Sequence, residues 1–272
     1  MRKAKGPPGP SDKYEMARDI LKVRDYKVVK ANDLIQQSRF HLTLQEQKII
    51  LYLISKIKPN DYDFAVHEFS IIDFCRICGI DYDNGKNYKN IKDAIKNLAD
   101  KSIWITLEDG SETILRWIDR AWINKKSGLV KIKIDDMMKP YLLRLKARFT
   151  QYELFYTLAM RSRYSLRLYE LLKSYEYQQK KTFDINELKR TLSTENYVRY
   201  PDFKRYVIDI AMKEINELTD ISIEYEVIQE GKRYTKIKFS IEVKKNMQER
   251  LKAWNKIYEI IDSEHKSLFD NQ

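Results

Sequence analysis

The sequence predicts an α+β chain of two tandem winged-helix domains, pseudo-duplicated along its length. Helical spacing gives way to strand alternation twice, in the same order. Short matches recur at offsets of about 114 to 120 residues. The length, 272 residues, suits two ordinary domains better than one.

Residues 1–26 read as a basic flexible arm. Met1 to Pro10 is rich in Gly, Pro, Lys and Arg and has no apolar run, so it is not a signal peptide. Val28 to Asn32 reads as a strand or extended lead-in. At Leu42-Thr43-Leu44-Gln45-Glu46-Gln47, Thr43 caps a helix and Glu46 completes a capping box. Ile49, Ile50, Leu53, Ile54 and Ile57 then form its apolar face, and Pro59 lies past its end. A second helix opens at Ser70 and stops at Gly79. A third runs from about Lys86 to Ala99. Strands follow over 103–107, 114–123 and 129–134, with turns at Asp109-Gly110 and Ser127-Gly128.

The order then returns. The run from Tyr164 to Leu172 is helical, Asp184 to Glu187 opens a short helix, and Tyr200-Pro201-Asp202-Phe203 opens a long one, with Pro201 in its first turn. Strands follow from Ile221 to Val227 and from Tyr234 to Val243, around a turn at Glu230-Gly231-Lys232. Leu51 to Lys56 matches Leu168 to Lys173, Phe69 to Ile71 matches Phe183 to Ile185, and Leu98 to Ile103 matches Leu218 to Ile223. The expected domains are 27–147 and 148–245, with a helical tail over 246–272.

Composition narrows the function. Hydrophobic residues at 43% can fill two cores, and a net charge of +11 points to a polyanionic partner, nucleic acid or an anionic membrane surface. A genome rich in Lys and Ile codons is the blander source of that charge. Two cysteines, Cys75 and Cys78, exclude a disulfide scaffold and suit a reducing cytoplasm. No stretch approaches the roughly 18 apolar residues of a membrane span. Three scattered histidines give a nickase no metal cluster, two cysteines give no four-ligand zinc site, and no glycine-rich phosphate loop occurs. Neither a catalytic site nor a cofactor is expected.

The residues that suit double-stranded DNA cluster in the second half. A winged helix presents its third helix to the major groove, while surrounding basic and hydroxyl groups hold phosphates. Arg199, Lys204 and Arg205, at the start of the long helix, are the candidates for the groove, with Tyr197 and Tyr200 beside them. Arg161, Arg163, Ser165, Lys189 and Arg190 are the candidates for phosphates, with Tyr164 and Arg167 in the same cluster. The start of the helix there offers free N–H groups and a positive dipole end. Lys232 and Arg233 sit at the tip of the wing. A weaker cluster, Lys86, Tyr88, Lys89 and Asn90, occupies the equivalent place in the first half. Trp104, Trp117 and Trp122 read as core, or in part as a protein interface.

These residues carry a resemblance. Arg163 to Leu172, Glu214 to Glu226 and the hairpin from Gly231 to Phe239 resemble the second winged helix of theta-type, iteron-binding plasmid replication initiators. Ala31 to Ile35 and Leu42 to Ile50 resemble that family's N-terminal signature. The resemblance implies monomers that bind directly repeated iterons, help open an AT-rich segment and recruit the host initiator and helicase. It further implies a homodimer in equilibrium with the monomer, formed through the first domain and repressing its own gene. The more sequence-specific contacts would fall to the second domain. A winged-helix transcriptional repressor without initiator activity is the alternative.

Overall fold

The computed structural model describes Lys22 and residues 26–58, 60–80, 85–124 and 126–266, with side chains placed as far as Ile261. The basic arm therefore lies outside the described residues, apart from Lys22 and Tyr26.

The first half opens with β1 (Lys27–Ala31), α1 (Asn32–Gln36), β2 (Ser38–Arg39) and α2 (Leu44–Ser55). Thr43 and Glu46 form the expected capping box at the start of α2: the Thr43 hydroxyl accepts from the Glu46 amide, and the Glu46 carboxylate from the Thr43 amide. Next come β3 (His67–Ser70), α3 (Ile71–Cys78) and α4 (Gly85–Leu98). Ser70 caps α3 through the Asp73 amide, and Gly79 ends it in the left-handed region at φ 65°, where a Cβ would be strained.

Four strands follow: β4 (Ser102–Thr106), β5 (Glu112–Arg116), β6 (Ile118–Ile123) and β7 (Leu129–Ile134). The expected single strand over 114–123 is thus two. It breaks at Trp117, and its halves join different sheets, β2-β4-β5 and β3-β7-β6. Trp117 and Ile118 are both buried, which strand alternation does not allow.

α5 (Lys139–Leu142) leads to β8 (Phe149–Glu153), which pairs antiparallel with β1, Val29 opposite Gln151. α6 (Phe155–Leu158) and α7 (Arg163–Lys173) come next. The second half continues through β9 (Lys180–Asp184) and α8 (Ile185–Thr191). Tyr200–Phe203, Lys204–Ile208 and Asp209–Leu218 run on as one long helix, α9, whose middle segment is a π turn. β10 (Ile221–Glu230) and β11 (Arg233–Val243) form a hairpin around Gly231 at φ 64°.

Sheet pairing repeats between the halves. The strand before the capped helix joins the last hairpin strand in both, β3 to β7 and β9 to β11. The first half interposes β4 and β5.

α7 holds the two halves together. Ser165 to Lys173 are all buried, as suits a helix packed on every side. Toward the first half, Glu170 accepts from the Lys30 ammonium and the Tyr152 hydroxyl, and Arg167 donates to the Ile35 and Ser38 carbonyls. Toward the second, Asp220 accepts from the Tyr169 hydroxyl at 2.8 Å and from Lys173 at 2.6 Å. α10 (Met247–Lys266) packs back on the body. Lys256 bonds Glu217, Trp254 donates to the Tyr156 hydroxyl, and Ile261 covers Gly79.

Candidate nucleic-acid interface

The start of α9 carries basic residues at a partly exposed helix end of the second half. Pro201 sets its first turn, while Phe203, Val207, Ile208 and Ala211 bury its inner face. Arg205 and Tyr206 face outward. Arg199 lies before the first turn with its guanidinium on both Asp202 oxygens, at 2.9 and 3.3 Å. Lys204 donates to both oxygens of Asp209 at 2.7 Å, and that bond holds its ammonium above its ordinary pKa. Two of the three groove candidates are therefore neutralised from their own helix.

Rings tie the helix to its surroundings. Tyr206 stacks on Tyr197, and Tyr197 meets Tyr164 edge-on. Arg205 lies over the Tyr206 ring and Arg163 over the Tyr164 ring, at 5.2 and 4.7 Å. The row Tyr164, Tyr197, Tyr206 thus places Arg163 and Arg205 along one surface. Tyr206 was missed in the sequence; its signal is an aromatic off the apolar stripe of α9 and next to Arg205. Tyr200 stacks on Tyr234 with centroids 4.3 Å apart, fixing the wing against the helix. Lys232 and Arg233 are exposed at the wing tip.

Three candidates face inward instead. Ser165 is fully buried, and Arg167, at 4% exposure, is bonded to the β2 region. Lys189 is also buried, and its ammonium donates to the Val198 carbonyl. Arg167 and Lys189 hold the protein's own carbonyls, the Ser165 hydroxyl is buried without a partner among the described residues, and none of the three presents a surface to DNA. Nor are the first amides of α7 open to phosphate. The Ser162 hydroxyl accepts from Tyr164 and Ser165, and the Glu214 carboxylate from Arg161 and Ser162. The Arg161 side chain remains exposed. Arg190 is exposed on the wall of a cleft of about 640 Å³ between the halves, with Arg39, Lys101 and Glu195.

In the first half, Lys86, Lys89 and Asn90 lie on the exposed side of α4. Tyr88 is half-buried, with its hydroxyl against Gly128, where a Cβ would lie 2.5 Å away. Trp117 is core, edge-on to Phe40, whereas Trp104 and Trp122 are about half exposed. Cys75 and Cys78 are buried and form no disulfide. Among the described residues no group of three His, Cys, Asp or Glu could hold a metal ion, and no helix is long and apolar enough to cross a membrane.

Two winged-helix units, the second with a basic third helix braced against its wing, define a DNA-binding protein of the double winged-helix class. The family description "Initiator Replication protein, WH1" matches residues 27–173, and "Initiator Rep protein, WH2" matches residues 184–241. The chain belongs to this family of replication initiator proteins. It is similar to a replication initiation protein of Escherichia coli, 28% identical over 235 residues, which cover 81% of this chain and 71% of the relative. It is also similar to the PI protein of Escherichia coli, 31% identical over 149 residues, 48% of each chain. Among solved structures it resembles the Pi initiator protein crystallised with iteron DNA, with a TM-score of 0.67 and 22% identity over 82% of this chain and 99% of that one.

Proposed function

We propose that this initiator binds directly repeated duplex sites at a plasmid origin, reading their sequence with the start of α9. The observation that carries this reading is the exposed Arg205 on the same surface as Arg163, beside a wing that ends in Lys232 and Arg233. Arg pairs with guanine in the major groove, and the flanking cations meet phosphates. Arg161, Arg163, Arg190, Lys232 and Arg233 are the phosphate candidates. Arg199 and Lys204 join Arg205 once DNA competes with Asp202 and Asp209 for them. Lys86, Lys89 and Asn90 are an auxiliary contact of the first domain.

Binding energy, not catalysis, opens the origin in this reading. The protein works in the cytoplasm with the host initiator and helicase, and as a homodimer it represses its own gene. Footprinting on the DNA flanking the gene tests the reading. Protection of tandem direct repeats is expected; a lone protected palindrome would favour a repressor. Incubation with supercoiled origin DNA and Mg²⁺ should leave the circle unnicked.

A further inference from the structure

Among the described residues, Val198 is the most exposed of the large aliphatic side chains, at 83%. Single exposed apolar residues are common, but this one stands on a loop that is fixed from beneath. The Tyr197 amide donates to the Thr194 carbonyl at 3.0 Å, and the Thr194 amide to the Lys189 carbonyl at 2.8 Å. Lys189 then donates its ammonium to the Val198 carbonyl at 2.9 Å. Lys189 is only 7% exposed, and its ammonium lies 5.4 Å from the centre of the Phe203 ring. Burial pulls its pKa down. Taking an ammonium out of water is costly, and here it holds one main-chain carbonyl. The valine presented there directly precedes Arg199 and the groove end of α9.

The major-groove edge of DNA carries one apolar group, the C5 methyl of thymine. We propose that Val198 is a specificity-determining residue that packs its isopropyl group on a thymine methyl, and that Lys189 is the positioning residue that holds it there. The proposal rests on the reading of α9 as the helix that enters the groove.

The full chain is used to enrich sites from a randomised duplex pool, and each thymine of the enriched site is then replaced in turn by deoxyuridine, which removes only the methyl. At one thymine the replacement should weaken the wild type about three- to fivefold. Val198→Ser should be indifferent at that position, and Val198→Ile should keep the effect. Lys189→Gln should lose the same methyl preference while keeping its other base preferences, which a general loss of fold would not do. If no thymine responds in the wild type, or if Val198→Ser responds equally, the proposal is overturned while the groove reading stands. If the wild type enriches no sequence, the groove reading falls and takes the proposal with it.

Discussion

Lys204 holds both carboxylate oxygens of Asp209, five residues further along the same helix. Side chains that meet on an α-helix are three or four apart; the π turn over Lys204–Ile208 brings the fifth within reach. A cation in the first turns of α9 is thereby balanced by a carboxylate of its own helix.

Removing that balance should strengthen binding to any duplex. Asp209→Asn leaves one more uncompensated positive charge facing the polyanion and is expected to steepen the dependence of log K on log salt by up to about 0.9. Fluorescence anisotropy on a random duplex across a salt series measures it. An unchanged slope would place Lys204 away from the DNA.

Arg205 and the half-buried Arg163 should separate by role. Arg205→Ala is expected to cost about 1–3 kcal/mol on the preferred site and to relax one base position. Arg163→Ala should weaken all sequences alike and lower the salt slope by about one. Enrichment from random duplexes, run beside the salt series, tests both. If Arg205→Ala leaves site preference untouched, α9 is not the reader.

Glu170 should matter to stability and not to recognition. Its carboxylate is the partner of the buried Lys30 ammonium, whose pKa burial lowers and Glu170 partly restores. Glu170→Ala strands that ammonium and should cost about 3–5 kcal/mol, read by urea denaturation. A loss below about 1 kcal/mol would mean that water reaches the pair, as at surface ion pairs.

Acid should weaken the fold through His67. Burial, with the nearby Lys56 charge, holds its imidazole below the ordinary value of 6.5. Among the described residues its Nε2 is buried without a partner. The unfolded chain therefore takes up a proton that the fold resists. The stability is complete above the unfolded pKa and is lost as pH falls through it toward the folded one. His67→Gln should flatten Tm between about pH 7.5 and 5; an unchanged pH profile would remove His67 as the cause.

Local chemistry made much of this fold legible in the sequence. Thr43 with Glu46, Ser70, Gly79, Asp184 and Pro201 mark helix ends in the structure as they do in the sequence. What could not be read was which partner each face meets. Ile114 to Ile123 carries apolar residues along its whole length, with Arg116, Asp119 and Arg120 among them, and only the adjacent buried pair Trp117-Ile118 betrays the change of sheet. Arg167 and Lys189 looked like surface cations because such residues are seldom buried unless paired, and their partners are main-chain carbonyls distant in sequence or hidden by a turn. α7 misleads in the same way: Arg163, Arg167 and Glu170 fall on one face of the helix by spacing and read as its solvated side, yet Arg167 and Glu170 are buried. Nothing in composition distinguishes Arg205 from Arg199 and Lys204, because the carboxylates beside the latter two read simply as a solvated face.

The burial of α7 bears on how the protein is made. When residue 173 has left the ribosome, Tyr169 and Lys173 await Asp220, still 47 positions away for the lysine. The side of α7 turned toward the second half therefore stays open while that half is being made. Its closure falls late, after most of the polypeptide has been synthesised.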